Sequence, residues 1–514
     1  MPRGTKKDVL PSAPGGVRKD LNPAQIPDGA WLSGNNWLCR SAVGQPRPGH
    51  TGLATMVSGD RVIGMGHRGT YQNDANLIVH TLTKAYSYPD LTDRTGTWTA
   101  STAEQPVRFA LLENAAGTTY IARINAANAV DVWDGTAGAF VDAGGSAPAG
   151  LDITSSNGRL MVVGVGGDPN QVRISDFNST NFAAAGAFNQ FFLTDTPGSF
   201  IACRAFGPLS CALYKDDGVY MAQGQAAQAP FSFQFIGHAT GPVGPASLVE
   251  ADSIHYWIGQ DGVIYGFDGS RPQAISRAIR RTILGSFDWN RRFEMHGVLF
   301  RGLPEAEIWW WYPLAATSSL NRAIVLNLAT GAVSTHTFAQ DVTASALLAS
   351  VGTVTWDTLV PTTWIALASM YPTWDTMSTP AQPRLALGGQ TGIVSQFGIA
   401  LTDLDQPIPW EHTTGWKSPG GLGQAAQFDE VRSYWVRTAD PLTVTVGVTA
   451  SDTLDDQDTE QTQTFDLSEP GQHVAAFPNV RAEFYKVRHA GSAKVSGVRW
   501  RGAELLTWPR AKVR

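Results

Sequence analysis

The chain has 514 residues, 43% of them hydrophobic and 16% charged, with 53 Gly, 30 Pro and 17 Trp. Charge is sparse against the ~25% of an average soluble domain, which excludes a solvated disordered chain, and the Gly and Pro load argues against a helical bundle or coiled coil. A net charge of −6 excludes wrapping nucleic acid with a basic face, and three cysteines exclude a disulfide scaffold or a cysteine-rich zinc site.

Residues 1–54 read as an extended N-terminal docking arm. Its first sixteen residues carry Lys6 and Lys7 and then Pro11, Pro14, Gly15 and Gly16, without the apolar run of a secretory signal. The stretch 17–50 has no helical period; single apolar residues alternate with turn formers such as Asn22-Pro23 and Arg47-Pro48-Gly49. Such a segment does not hold itself together and docks on another part of the chain or on a partner.

From 55 to 345 the pattern becomes short strands joined by tight turns, the expected β-propeller core. A unit of strand, Gly-containing turn, strand and polar loop recurs, most clearly at 253–276, where Gln260-Asp261-Gly262 turns a hairpin. Looser copies lie at 118–140, 157–177 and 211–222. Spacing of about 40–50 residues is that of propeller blades, and five or six are expected. Cys203 and Cys211 are read as a reduced, buried pair on neighbouring strands. Residues 275–287 have Ile275, Ile279 and Ile283 on one helical face and Arg277, Arg280 and Arg281 opposite. Residues 346–419 read as Trp-rich loops and the last propeller strands, with Trp-Asp pairs in 354–360 and 372–378. Residues 420–514 read as a small C-terminal β domain, with strands at 428–436, 442–449, 461–466, 472–477, 483–488 and 495–501. The expected fold is therefore mainly β: a β-propeller-like central domain, an extended arm and a small C-terminal β-sandwich or platform.

The sequence carries no phosphate-binding loop, no zinc-protease helix, no EF-hand and no nucleophile elbow. Its ten histidines form no metal-ligand pair at i, i+4, and no cofactor is expected. The closest enzymatic rival is a propeller glycosidase. Asp93-Arg94-Thr95-Gly96-Thr97-Trp98 approaches a sialidase Asp-box with its Gly displaced, and Asp261, Asp268, Glu305 and Glu307 could supply paired carboxylates. In Glu307–Tyr312, alternation puts Trp309 and Trp311 on one strand face. The pair fits either a strand buried between blades or, alternatively, a glycan platform.

The opening of the chain resembles a known family. Gly15-Gly16-Val17, Asp20, Pro23, Ile26-Pro27-Asp28-Gly29, Asn35-Asn36 and Arg47-Pro48-Gly49 are similar to the start of tail nozzle proteins of short-tailed bacteriophages, also called tail tubular protein B or tail stabilisation proteins. The hairpin unit at 254–269 and the basic β C-terminus also look like theirs. The resemblance implies a structural virion protein without an active site, made in the host bacterial cytoplasm. It implies a hexamer around a channel, attached below the portal adaptor and next to tail fibres or spikes. Viral DNA would cross the lumen without sequence-specific binding, and a weakly negative lumen would avoid gripping it. The expected assembly residues are Lys6, Lys7, Arg18, Asp20, Trp31, Trp37, Arg47, Arg499 and Arg501. The alternative is a tail propeller that binds or cleaves host glycans. No stretch is long and apolar enough to span a membrane.

Overall fold

A computed structural model describes residues 6–11, 15–27, 30–40, 43–68, 77–136, 138–183, 189–225, 230–301, 305–348, 384–418, 426–436, 442–452, 460–467, 473–476, 478, 480–493 and 499–509. Both Trp-Asp segments in 354–378 and most of the acidic loop after Asp452 lie outside them.

The molecule is mainly β, and its centre is a six-blade propeller arrangement. Each blade is a four-stranded antiparallel sheet of consecutive strands, spanning residues 62–93, 108–142, 152–192, 200–238, 249–276 and 296–337. Their first strands, which begin at Val62, Arg108, Asp152, Phe200, Val249 and His296, line the axis. The intervals between them, 44 to 49 residues, are the repeat legible in the sequence. Local turn chemistry sets each hairpin. In blade 5, Gly262 takes φ +75, and Asp261 accepts from the Val263 amide at 3.2 Å and the Tyr265 hydroxyl at 2.8 Å.

A composite sheet closes the ring. Ala344–Leu348 packs beside the innermost strands of blades 6 and 1, followed outward by Arg384–Gly388 and Ile393–Ala400. The next strand out is Gly49–Thr55, from the other end of the chain, paired antiparallel with Ile393–Ala400. Joining distant segments in one sheet satisfies an edge and ties the ring shut.

The platform is likewise composite. One sheet combines Trp37–Arg40 and Val43–Pro46 with Arg499–Pro509, Ala426–Val436 and His473–Ala476; Lys6–Pro11 adds to Arg499–Pro509 and Val480–Ala482 to Ala426–Val436. The other runs Gln406–Thr414, Phe484–Ala493, Leu442–Ser451, Glu460–Leu467, with Trp31–Asn35 added to Gln406–Thr414. Between them Trp31, Trp37, Trp410, Trp435, Val446 and Tyr485 form one buried cluster. The arm thus docks on its own chain. Its strands complete a sandwich that 420–514 alone leaves short of strands on both sheets.

One detail differs from expectation and another matches it. The helix covers only Arg280–Ser286; Ile279 and Ile283 are buried, but Ile275 is 46% exposed in the outermost strand of blade 5, Gln273–Ser276. Sheet pairing claims this residue before the helix begins. Cys203 and Cys211 sit on adjacent strands of blade 4, each free and buried.

Candidate functional site

A long-range polar network joins the arm, blade 6 and the platform. It begins at Gly16, whose φ is +64. A Cβ there would lie 2.6 Å from both the Val333 nitrogen and oxygen, so only glycine lets the arm meet the blade edge. The Val17 amide donates to the Val333 carbonyl at 2.8 Å. Further along, the Asn36 amide donates to the Thr335 carbonyl at 3.0 Å, and the Thr335 hydroxyl to the Gly34 carbonyl at 2.6 Å. The arm thereby pairs along the outermost strand of blade 6, Val333–Thr337.

Asn36, at φ +55, links three parts at once. Its Nδ2 donates to the Pro409 carbonyl at 2.7 Å, while its Oδ1 accepts from the Thr337 amide at 2.8 Å and Arg47 Nε at 2.9 Å. Arg47 is the centre of the network. Its Nη1 donates to Asp403 Oδ1 at 2.8 Å, its Nη2 to Asp403 Oδ2 and, at 2.7 Å, to the Thr337 carbonyl. The guanidinium lies 4.0 Å above the Phe338 ring, and its side chain is fully buried. Nearby, Arg40 forms a second buried bidentate pair, with Glu307 at 2.6 and 2.7 Å.

His50, Ser395 and Asp403 sit beside this network in an order that resembles a nucleophile, base and acid. His50 Nδ1 is 2.8 Å from Ser395 Oγ, and its Nε2 is 3.6 Å from Asp403 Oδ1. Chemistry is blocked on three counts. Each residue is at most 3% exposed, so a substrate carbonyl has no approach. Both Asp403 oxygens are committed to Arg47, and 3.6 Å is beyond a hydrogen bond. Burial pushes the His50 imidazole down to about 4, which leaves it a weak base.

Of the expected assembly residues, five meet in or beside this joint. Arg18 and Asp20 pair with each other at 2.9 Å; the hydrogen bonds from Arg18 hold the Asp20 carboxyl below its usual value. Trp31, Trp37 and Arg47 are buried against their own chain, so the docking expected of them is on another part of the chain. Trp37 lies 4.6 Å from Trp410 and 4.8 Å from His412, centroid to centroid. The other four share one sheet: Lys6 and Lys7 stand opposite Thr507 and Leu506, Arg499 stands opposite Val436, and Arg501 lies on the same strand as Arg499.

The glycan platform is also corrected. Trp309 and Trp311 are both fully buried, packed with Phe338 and Phe397, because a blade strand has sheets on both faces. Each candidate carboxylate holds a structural partner. Glu307 holds Arg40, Asp261 and Asp268 cap turns, and Glu305 accepts from Asn327. Asp93 likewise accepts from the Thr95 amide at 2.9 Å, as a structural turn does.

Arg40 and Asp403 escaped the sequence reading, and Glu307 was read only as a candidate catalytic carboxylate. An arginine ending the apolar run Trp37-Leu38-Cys39 was the one available signal for Arg40; Asp403 carried none. An open groove of about 550 Å³ flanks the joint, lined by Lys19, Leu32, Arg281, Lys486, Arg488 and Glu460. Burial, reinforced by Arg322, lowers the Lys19 ammonium. Among the described residues no three His, Cys, Asp or Glu are placed to hold a metal ion, and no helix is long and apolar enough to cross a membrane.

A scan against protein-family models and a search of curated proteins both return no match to this chain.

Proposed function

We propose that the chain is a structural subunit of the tail nozzle of a short-tailed bacteriophage, assembled as a hexamer below the portal adaptor. One observation carries this reading. Three of the residues that give the resemblance hold the joint: Gly16 on Val333, Asn36 between blade and platform, and Arg47 on Asp403. Their turn chemistry serves one purpose, fixing a propeller rigidly to a platform built from both halves of the chain. A subunit that must keep its shape while pressurised DNA passes needs such a joint. The subunit contacts then fall away from the buried joint, with Lys6, Lys7, Arg499 and Arg501 together on one platform sheet.

The test is immunogold labelling of virions from the source lysate with antibody against this chain. Label on the axis of a short tail, on intact or disrupted particles, supports the nozzle. Label on peripheral spikes transfers the propeller to receptor recognition. Absence of the protein from the particle overturns the assignment.

A further inference from the structure

The outermost strand of blade 4 is unlike those of the other blades. It covers Phe231–His238, eight residues. The outermost strands of blades 1, 2, 3 and 5 have two, two, three and four. That of blade 6, Val333–Thr337, is covered by the arm. A free strand edge is a template for another chain, and it is normally blunted by brevity, charge or proline. Phe231-Ser232-Phe233-Gln234-Phe235-Ile236-Gly237-His238 carries no Lys, Arg, Asp, Glu or Pro.

The hairpin fixes which backbone groups face this edge. The Gln225 amide donates to the Pro230 carbonyl at 3.1 Å, so Gln225 and Pro230 are a hydrogen-bonded pair. Pair types alternate along an antiparallel ladder. Gln223–Ser232 and Met221–Gln234 are then bonded pairs, whereas Gly224–Phe231, Ala222–Phe233 and Tyr220–Phe235 are not. The Gly224 amide agrees, since it turns away to the Leu209 carbonyl. The N–H and C=O groups of Phe231, Phe233 and Phe235 therefore point outward, and among the described residues nothing bonds them. Pro230, without an N–H, ends the run on one side, and a bulge at Ile236 ends it on the other. The run Phe231–Phe235 is centred on Phe233. Its phenylalanines share one face, where Phe231 is buried and Phe233 and Phe235 are half-buried beside Phe191 and Leu193. Ser232 and Gln234 share the other face.

We propose that this edge pairs with the same edge of a second copy of the chain, antiparallel, about a two-fold axis at Phe233. The strand is self-complementary in that register. Phe231 faces the partner's Phe235, Phe233 faces the partner's Phe233, and Ser232 faces the partner's Gln234. Two hydrogen bonds for each facing pair of outward residues give about six. The added row of rings covers Phe233 and Phe235. Each copy presents this edge once, so the contact closes at a dimer. It is smaller than the ~1,200 Å² of a standard interface, and the dimer dissociates on dilution. Neighbours in a sixfold ring do not make a two-fold contact, so the proposal does not rest on the nozzle reading.

The test is sedimentation equilibrium of the full chain over a range of concentrations. The parent passes from monomer to dimer. In Ser232→Lys/Gln234→Lys each Lys meets a Lys of the partner, which weakens the dimer roughly tenfold. In Ser232→Lys/Gln234→Glu each Lys meets a Glu, which restores it. Both variants keep the parent's thermal midpoint at concentrations where all are monomeric. A second readout fixes the register. Ser232 and the partner's Gln234 form a non-bonded pair with Cα atoms about 4.5 Å apart, within the span of a disulfide. Under mild oxidation a mixture of Ser232→Cys and Gln234→Cys chains links efficiently, and neither variant alone does. A parent chain that stays monomeric overturns the proposal. So does a dimer, or a ring of six, that the two Lys substitutions leave intact; the ring of six would still support the nozzle. Equal linking by the mixture and by the single variants overturns the register.

Discussion

Arg47 uses its guanidinium to join segments that are hundreds of residues apart, and Asp403 is 356 positions away. Removing one partner of a buried pair leaves the other charge without compensation. Arg47→Met should therefore destabilise the fold by about 3–5 kcal/mol in urea titrations followed by tryptophan fluorescence. Adding Asp403→Asn should return part of that loss; a double variant as unstable as the sum of the two singles would show that the pair is not coupled. Arg47-Pro48-Gly49 stood out in the sequence as a turn motif. Its partner did not, because an Asp beside Leu404 reads as any loop residue. The tryptophans teach the converse. Alternation placed Trp309 and Trp311 on one face correctly, but the pattern of a single strand does not say that both faces are covered.

Among elements, the strand Gly49–Thr55 is the one on which the ring's closure turns. Gly49 packs so tightly that a Cβ would land on the Thr402 carbonyl, which is backbone and cannot yield. Gly49→Ala should cost about 1–3 kcal/mol as overpacking and loosen the closing sheet first. Hydrogen exchange would report it as lost protection across Ile393–Ala400, with blades 2 to 4 unchanged; uniform loss would refute the latch role. The blades themselves were legible because each is local: four consecutive strands with turn residues at regular intervals. The composite sheets were not, since pairing such as that between 49–55 and 393–400 leaves no periodic trace. The helix was over-read for a related reason. Ile275, Ile279 and Ile283 have helical spacing, yet blade 5 needs a fourth strand and takes Ile275 for it.

At the scale of the whole molecule, acid is the stress to which the fold is most exposed. Seven histidines are buried with their pKa values lowered by burial: His50 and His296 to about 4, His80, His255 and His489 to about 3, and His336 and His412 well below the usual value. In the unfolded chain each titrates near ~6.5. Below that pH the unfolded state binds protons that the folded state refuses, so stability falls as pH falls. Each such group contributes about 1.4 kcal/mol per pH unit across its window. The thermal midpoint should be nearly flat above pH 7 and drop steeply between 6.5 and 4; a midpoint constant to pH 5 would contradict this. The composite sheets also bear on how the chain is made. The strand that latches the ring leaves the ribosome early and waits for Ile393–Ala400, and the arm waits longer still, for Arg499–Pro509. Contacts so far apart in sequence slow folding. A chain interrupted before Ile393–Ala400 keeps raw sheet edges in both ring and platform, and one interrupted before Arg499–Pro509 keeps them in the platform, open to aggregation or proteolysis. Synthesis is thereby proofread by topology: the platform acquires its finished surface only once Arg499–Pro509 has been made.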